Sequence, residues 1–510
     1  MLNRIFGANT HNYLHILGLS GLAFGLPLNK VVMSVSMMFL VLNLLLEADF
    51  KSYWQHITSN KLFLLILAFF SFHAVGLLWS EDLGYGFHDL KVKLPMLIVP
   101  LVLTAKPVHK KSFLNLVLFS FITSVCITSF INYGNYAQWF GPREYLDIRG
   151  MSLFGSHVRY ALLVAMSAGI SIYFYTQKKY PTIVLIVLFI WFNYYTFYSQ
   201  VISGAISLGV VYLMCTFYWA WKKHKLIAIS GLGVLVILIV LGTAWVLRPI
   251  TYDLAEYQNL PAKTAEGNWY YHKPGPVAPE TGKPVDIFIC ELELKREWKK
   301  VSKIAYDGKD KKGQLIKGTL IRYMASLDVT KDAVGVAHLT KDDILAIEHG
   351  LASSYNVGII ARLYGLQYQL NNTGDPNGHS LLQRLEYWET GLQIAQKNWI
   401  LGVGTGDAQI AFDKQYELNN SQLYPENRDR THNMFLTVLL SLGIIGLSLL
   451  VWSHFKYLVD NLKQRNLVAV IFISIILVSY LIEDTLETQA GITFFGLFYG
   501  LFSTPFKKES

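Results

Sequence analysis

His432 stands at an abrupt change of chemistry. It follows the charged run Glu426, Arg428, Asp429 and Arg430 and precedes about twenty residues without charge. A histidine at such a water–lipid boundary can take and give a proton near neutral pH. The bland alternative is a neutral histidine capping the first turn of the span. Arg384, 48 residues upstream, opens a helical pattern in which Leu385, Trp388, Leu392 and Ile394 can form an apolar face. A guanidinium held by such a helix suits phosphate, unless it is taken up by a surface ion pair with Glu386 or Glu389. The helix is expected to end at Gly402-Val-Gly404-Thr-Gly406, where so many glycines signal close backbone approach. This is not a nucleotide loop, because it lacks Lys-Ser/Thr and follows a helix instead of a strand.

Further basic residues sit at the ends of apolar runs: Lys91 and Lys93 in DLKVKLPMLIVP, and His157 and Arg159 in GSHVRYALLVAM. They could form a rim that holds an anionic lipid headgroup, or simply snorkel at an interface. Arg143 and Arg149, in the loop before His157, are expected to be solvated. Asp342-Asp343 is the nearest approach to an acidic metal pair, but it lies in a helical pattern without a third ligand. Cys126 and Cys215 fall within apolar runs and leave Cys290 alone outside them, so no disulfide framework or CxxC metal site is expected.

The elements that must position these groups are set by composition. With 510 residues, 53% hydrophobic and 15% charged, and a mean hydropathy of +0.34, the chain reads as an all-α integral membrane protein. Apolar segments fall near residues 13–28, 30–46, 61–79, 91–105, 112–132, 157–175, 181–198, 200–220, 226–247, 433–452, 467–482 and 491–505. These make about twelve transmembrane helices, several shorter than the ~20 residues of a straight span. No cleavable signal is evident. With a cytoplasmic N-terminus, sixteen Lys and Arg from Arg4 to Lys508 fall on the inner face, against six in the short outer loops: Lys30, Lys91, Lys93, Arg143, Arg149 and Arg159. The C-terminus is then also cytoplasmic. The formal net charge of +9 reflects this asymmetry and implies no nucleic-acid partner.

This reading divides the chain into an N-terminal membrane region (1–247, about nine spans), an outer loop domain (248–431) and a C-terminal membrane region (432–510, about three spans). Within the loop, VDIFICELEL (285–294) alternates like a strand. LTKDDILAIEHG (339–350) reads as a helix with Thr340 as N-cap and Gly350 beyond its end. Asn371 to Gly378 is a turn cluster introducing the Arg384 helix.

HNxFL followed by Gly443 and Gly446-Leu447, and preceded by RLEYW and GVGTGD, resembles the C-terminal signature of the O-antigen ligase and polymerase superfamily. WSEDLGYGFHDLKVKLPMLIVPL (79–102), SHVRYALL (156–163) and EDTLETQAGITFFGLFYGLF (483–502) also look like sequence of that family. The resemblance implies a C-type glycosyltransferase-like membrane fold with a large mixed periplasmic loop, in the bacterial inner membrane, with the active site on the periplasmic face. It implies transfer of a glycan from undecaprenyl pyrophosphate to an acceptor hydroxyl, for a ligase on lipid A-core. The family histidine falls on His432, its upstream arginine on Arg384, and the basic residue of SHxR on Arg159. Where many relatives carry an arginine before the loop, YSQVISGAISL (198–208) has Gln200 and Ser203. A second loop arginine is expected among Arg248, Arg322, Arg362, Arg428 and Arg430.

Attack of a sugar hydroxyl on an anomeric carbon needs a base, and a pyrophosphate leaving group needs its charge neutralised. His432 is the candidate base, with Arg384, Arg159, Lys93 and Arg430 as diphosphate ligands and His157, Asn433, Lys91, Gly404 and Gly406 in support. The expected reaction inverts the anomeric centre by single displacement and needs no nucleotide, cofactor or divalent metal. Three readings remain beside the ligase: a polymerase, a protein O-oligosaccharyltransferase and, of a different class, a lipid or polysaccharide transporter. Charged residues are scarce inside the spans and no paired broken segments suggest inverted repeats, which disfavours transport.

Overall fold

The structure, a computed structural model, describes residues 8–141, 148–178, 180–223, 225–355, 358–372, 376–377 and 379–504. Arg4, Arg143, Lys179, Lys507 and Lys508, with residues 373–375 and Gly378 of the turn cluster, lie outside them, as does the side chain of Arg149.

A helix overlaps each expected apolar segment: Ala8–Gly25, Lys30–Glu47, Lys61–Gly76, Leu83–Ala105, Lys111–Tyr136, His157–Gln177, Thr182–Tyr198, Ile202–Lys223, Lys225–Leu247, Met434–Lys463, Leu467–Ile482 and Gln489–Leu501. By length and composition, 6 helices among the described residues could cross a membrane. Phe50–Ser59 forms a further helix that the apolar segments do not announce.

The chain divides into two compact units, one of Met1–Gly141, Met151–Leu232 and Gln383–Ser510, the other of Pro142–Gly150 and Gly233–Leu382. The first unit resumes at Gln383, ahead of His432. The reason is apolar: Tyr387, Ile394, Phe412 and Tyr416 from helices Ser380–Lys397 and Ala408–Leu418 share a core with Leu436 and Leu440 of the Met434–Lys463 helix. The face expected on the Arg384 helix is shifted accordingly. Tyr387, Thr390, Gly391, Ile394 and Ala395 are buried, while Leu385 and Leu392 are exposed.

The glycine-rich turn earns its composition against a broken helix. Gly443 interrupts Met434–Lys463 with φ 63° and ψ −166°, which frees carbonyls that an apolar surrounding cannot satisfy. Val403 N–H donates to Leu440 O (2.8 Å), Gly404 N–H to Ser441 O (2.9 Å), and Ile444 N–H to Trp399 O (2.8 Å). A Cβ on Gly402 would lie 2.2 Å from the Ser441 carbonyl carbon, and one on Gly443 2.0 Å from Ile400 O. Gly406 likewise abuts Asp82 O, and the adjacent Asp407 carboxylate accepts from the Glu81 and Asp82 amides. Gly443→Ala combines a left-handed backbone with a backbone overlap, so it is expected to cost about 3 kcal/mol or more. The check is a clear drop in the detergent melting midpoint, with Gly209→Ala, where an added Cβ meets nothing within 4 Å, as a helical comparison.

In the second unit, Leu294, Trp298, Leu320, Tyr323, Met324 and Ile347 form the core. The expected strand at 285–294 is corrected. Val285, Ile287 and Ile289 do point inward, but Phe288 has φ 54° and the helix Glu291–Val301 begins within the segment. Among the described residues the regular pairing is confined to Val277–Ala278 with Lys283–Pro284, and Ile289 makes only isolated bridges to Tyr271 and Lys331. The helix Lys341–Glu348 has the expected Thr340 cap, closed into a capping box by Asp343, and Gly350 follows its end at φ 73°.

Candidate active site

The site lies in the first unit, where the 427–433 segment meets the turn after Leu467–Ile482. Three aromatic residues hold that segment in place. Tyr387 Oη donates to Asn427 O (2.7 Å), Trp388 Nε1 to Thr431 O (2.8 Å), and Tyr416 Oη to Asp429 O (2.7 Å). Gly391 allows the approach, because a Cβ there would come within 2.8 Å of Thr431 Cγ2.

His432 itself has φ 47°, in the left-handed region that costs a non-glycine residue. Asp484 fixes this geometry: its carboxylate accepts from His432 N–H (3.1 Å) and from Thr437 Oγ1 (2.7 Å). Asn433, not the histidine, caps the following helix, accepting from Leu436 N–H (3.1 Å). The imidazole is therefore left for other work.

His432 Nε2 meets Asp429 Oδ2 at 3.2 Å, and Nδ1 faces Glu483 Oε2 at 3.8 Å, too far for a hydrogen bond. Nδ1 is buried and without a hydrogen-bond partner among the described residues. Two arginines converge on the same Glu483 carboxylate, Arg159 at 3.5 Å and Arg384 at 3.4 Å. Burial alone would raise Glu483, but His432, Arg159 and Arg384 outweigh it and hold the carboxyl below its ordinary range. The Arg384 partner is thus neither Glu386 nor Glu389, and Glu386 accepts from Ser421 instead.

A second anionic centre adjoins the first. Arg430 reaches Glu487 at 3.3 Å, and Lys93, buried, lies between Asp89 (2.5 Å) and Glu487 (2.8 Å). Lys93 and Arg430 together overcome burial and hold Glu487 below the usual carboxylate range. The arrangement gives Lys93 two carboxylates to bind and little exposure to anything else. Lys91 is exposed, and His157 is half-buried at the first position of the His157–Gln177 helix.

The remaining arginines separate by environment. Arg322 is buried, paired with Glu280 at 2.7 Å and stacked 4.4 Å from the Tyr368 ring centroid. Arg248 and Arg362 also belong to the second unit. Arg428 donates to Leu423 O (3.3 Å) and lies over Tyr416. Gln200 sits at φ 54° in the break between two helices, and Ser203 Oγ is buried without a partner among the described residues.

The hydrogen bond to Asp429, then the proximity of Glu483, raise His432 to about 9 against the opposing effect of burial. An NMR titration of the unliganded protein is expected to show the imidazole midpoint near 9, moving down in Asp429→Asn. Because the folded value lies above the ordinary 6.5, the stability it contributes is fully present below that value and is lost as pH rises through about 9.

Fold and site together define a mostly helical protein, rich in apolar helices, whose histidine and arginines gather around buried carboxylates. The family described as O-antigen ligase matches residues 344–451. The match supports an O-antigen ligase-like superfamily protein; family members are glycosyltransferase-like enzymes. The matched stretch carries Arg384, the glycine-rich turn, Asp429, Arg430 and His432, whereas Lys93, Arg159, Glu483, Asp484 and Glu487 lie outside it. No curated protein matches the chain.

Proposed function

We propose that this protein is an inverting glycosyltransferase of the bacterial inner membrane, an O-antigen ligase. It moves a glycan from undecaprenyl pyrophosphate to a hydroxyl of lipid A-core on the periplasmic face. The observation that carries the reading is the convergence of His432, Arg159 and Arg384 on one carboxylate, Glu483. Two guanidiniums gathered with an imidazole about one anion can serve a diphosphate whose negative charge grows as the glycosidic bond breaks, with a base beside it. A cavity of about 230 Å³ beside Arg159, lined by Leu26, Met33, Leu162 and Phe494, supports an apolar carrier chain next to that charge.

In this mechanism Asp429 holds the Nε2–H of neutral His432, leaving the buried Nδ1 to accept the proton of the acceptor hydroxyl. The hydroxyl oxygen forms the new bond to the anomeric carbon as the bond to the diphosphate oxygen breaks, and the diphosphate leaves with its electron pair. Arg159 and Arg384 neutralise it, and Arg430 supports them from the Glu487 side. Lys93 acts indirectly, by neutralising Glu487. These side chains supply the proton transfer and charge neutralisation, so the proposed reaction is metal-independent.

A base with a raised affinity for protons leaves a kinetic mark. Since kcat/KM reports the free enzyme, it is expected to rise about tenfold per pH unit up to about 9, then level off. The identity of the reaction is tested by offering purified protein the lipid-linked glycan with lipid A-core, in EDTA. Ligated core supports the ligase. Lengthened lipid-linked glycan assigns a polymerase, transfer only to an exported protein assigns a protein O-oligosaccharyltransferase, and movement of unaltered donor across a vesicle membrane assigns a transporter.

A further inference from the structure

The second unit holds a cavity of about 380 Å³ whose lining includes Tyr257, Ile287, Phe288, Asp328, Thr330 and Lys331. All of these precede the residues matched by the family. Lys331 is 4% exposed, yet its ammonium makes no hydrogen bond or ion pair among the described residues. The ammonium opens onto the cavity with no protein partner among the described residues to hold it there, so the fold must place it by other means. Backbone contacts do so: Lys331 N–H donates to Phe288 O (2.8 Å), and Lys331 O accepts from Cys290 N–H (2.8 Å).

Two of the carboxylates around it have other tasks. Asp332, next in sequence, caps the Ala333–Ala337 helix through Gly335 N–H (2.8 Å) and accepts from Thr330 and Tyr270. Asp328 binds Lys283 at 2.7 Å. Burial, acting against the fields of Asp328 and Asp286, brings Lys331 down to about 8, so it still carries charge at neutral pH.

Backbone strain gathers at the same place. Phe288 and Asp328, at φ 54° and 59°, are the non-glycine residues with left-handed backbone among the described residues of this unit. Both line the cavity. A bulky aromatic residue rarely adopts that conformation, and such outliers concentrate at binding sites. The Phe288 ring is also held edge-on by Tyr270 (5.6 Å) and His272 (5.1 Å), which makes it a fixed wall.

Charge narrows the ligand class. Lys331 and Lys283 are balanced around the cavity by Glu256 and Asp328, so an anion reaching Lys331 would also meet carboxylates. A polyol meets no such conflict: its hydroxyls accept from the ammonium and donate to the carboxylates, while its C–H face lies against aromatic rings. We propose that this cavity binds a neutral sugar unit of the acceptor, with Lys331 as the buried donor and Phe288 and Tyr257 as the apolar wall. The link to the acceptor rests on the glycosyltransferase reading, whereas sugar binding itself does not.

The test is saturation-transfer NMR on the full chain in a detergent without a sugar headgroup. The probes are the methyl glycosides of glucose, galactose, mannose and N-acetylglucosamine, with inorganic phosphate as the anionic alternative. At least one glycoside is expected to bind, with affinity falling about tenfold in Lys331→Gln, as loss of one charge-assisted hydrogen bond predicts. Tyr257→Ala is expected to weaken it as well, and carries the test if Lys331→Gln does not fold. Binding should persist in His432→Ala. Absence of glycoside binding, binding unchanged in the folded variants, or Lys331-dependent phosphate binding that no glycoside displaces would overturn the proposal. In transfer assays, Lys331→Gln should raise the acceptor KM and leave the donor KM unchanged, and an unchanged acceptor KM would overturn the link to the acceptor. If the parent transfers nothing, the active-site reading fails, and the glycoside result still decides whether the cavity binds sugar.

Discussion

Replacing His432 by alanine is expected to slow single-turnover transfer by about 100- to 10,000-fold, the usual contribution of a general base. The size follows from the imidazole's position, with Nε2 engaged by Asp429 and Nδ1 buried without a hydrogen-bond partner among the described residues. The fold should tolerate the change, because Asp484 binds the backbone amide of residue 432 and not its ring. Alanine keeps the unfavourable φ of 47°, so His432→Asn is the better-matched control, asparagine being more at ease in that region. Both variants should bind the lipid-linked donor and fail at transfer. A variant that melts normally and still transfers at the parental rate would remove His432 from the chemistry.

Arg384→Ala and Arg159→Ala are each expected to lower kcat/KM for the donor by about 10- to 100-fold, the range for losing a hydrogen bond to a charged group. Both guanidiniums address one carboxylate, Glu483, at nearly equal distance. Their effects on one bound anion should therefore be coupled, and the double variant should lose less than the product of the single losses. Lysine should restore little at either position, since it lacks the planar fork. The alternative is that the arginines only anchor Glu483. In that case the melting midpoint would fall while the donor KM stayed the same.

The positions of the apolar helices, the Thr340 cap and the close approach at Gly402–Gly406 could be read from the sequence because each depends on local chemistry. The site could be read only in its cations. His432 announces itself by standing beside a long apolar run and Arg384 by opening an amphipathic helical pattern, but Glu483, Asp484 and Glu487 acquire meaning only when the ends of Leu467–Ile482 and Met434–Lys463 meet. A signal was available: EDTLET places three acids in one short turn between two uncharged runs. Lys93 had its partner in view four residues earlier, in Asp89, yet its second partner, Glu487, is 394 residues away. The alternation at 285–294 reported burial correctly and secondary structure wrongly, since inward-facing residues at period two do not require a paired ladder. Gly443 looked like a family marker, and its physical role as a helix break appears only beside the Trp399–Gly404 backbone.

The measurement that bears most directly on the central claim is single-turnover transfer by the purified parent protein, from an undecaprenyl-pyrophosphate glycan to lipid A-core in EDTA, with the anomeric configuration of the product determined. The account predicts ligated core with the configuration inverted. Retained configuration, or donor that binds and never reaches the core, would contradict it.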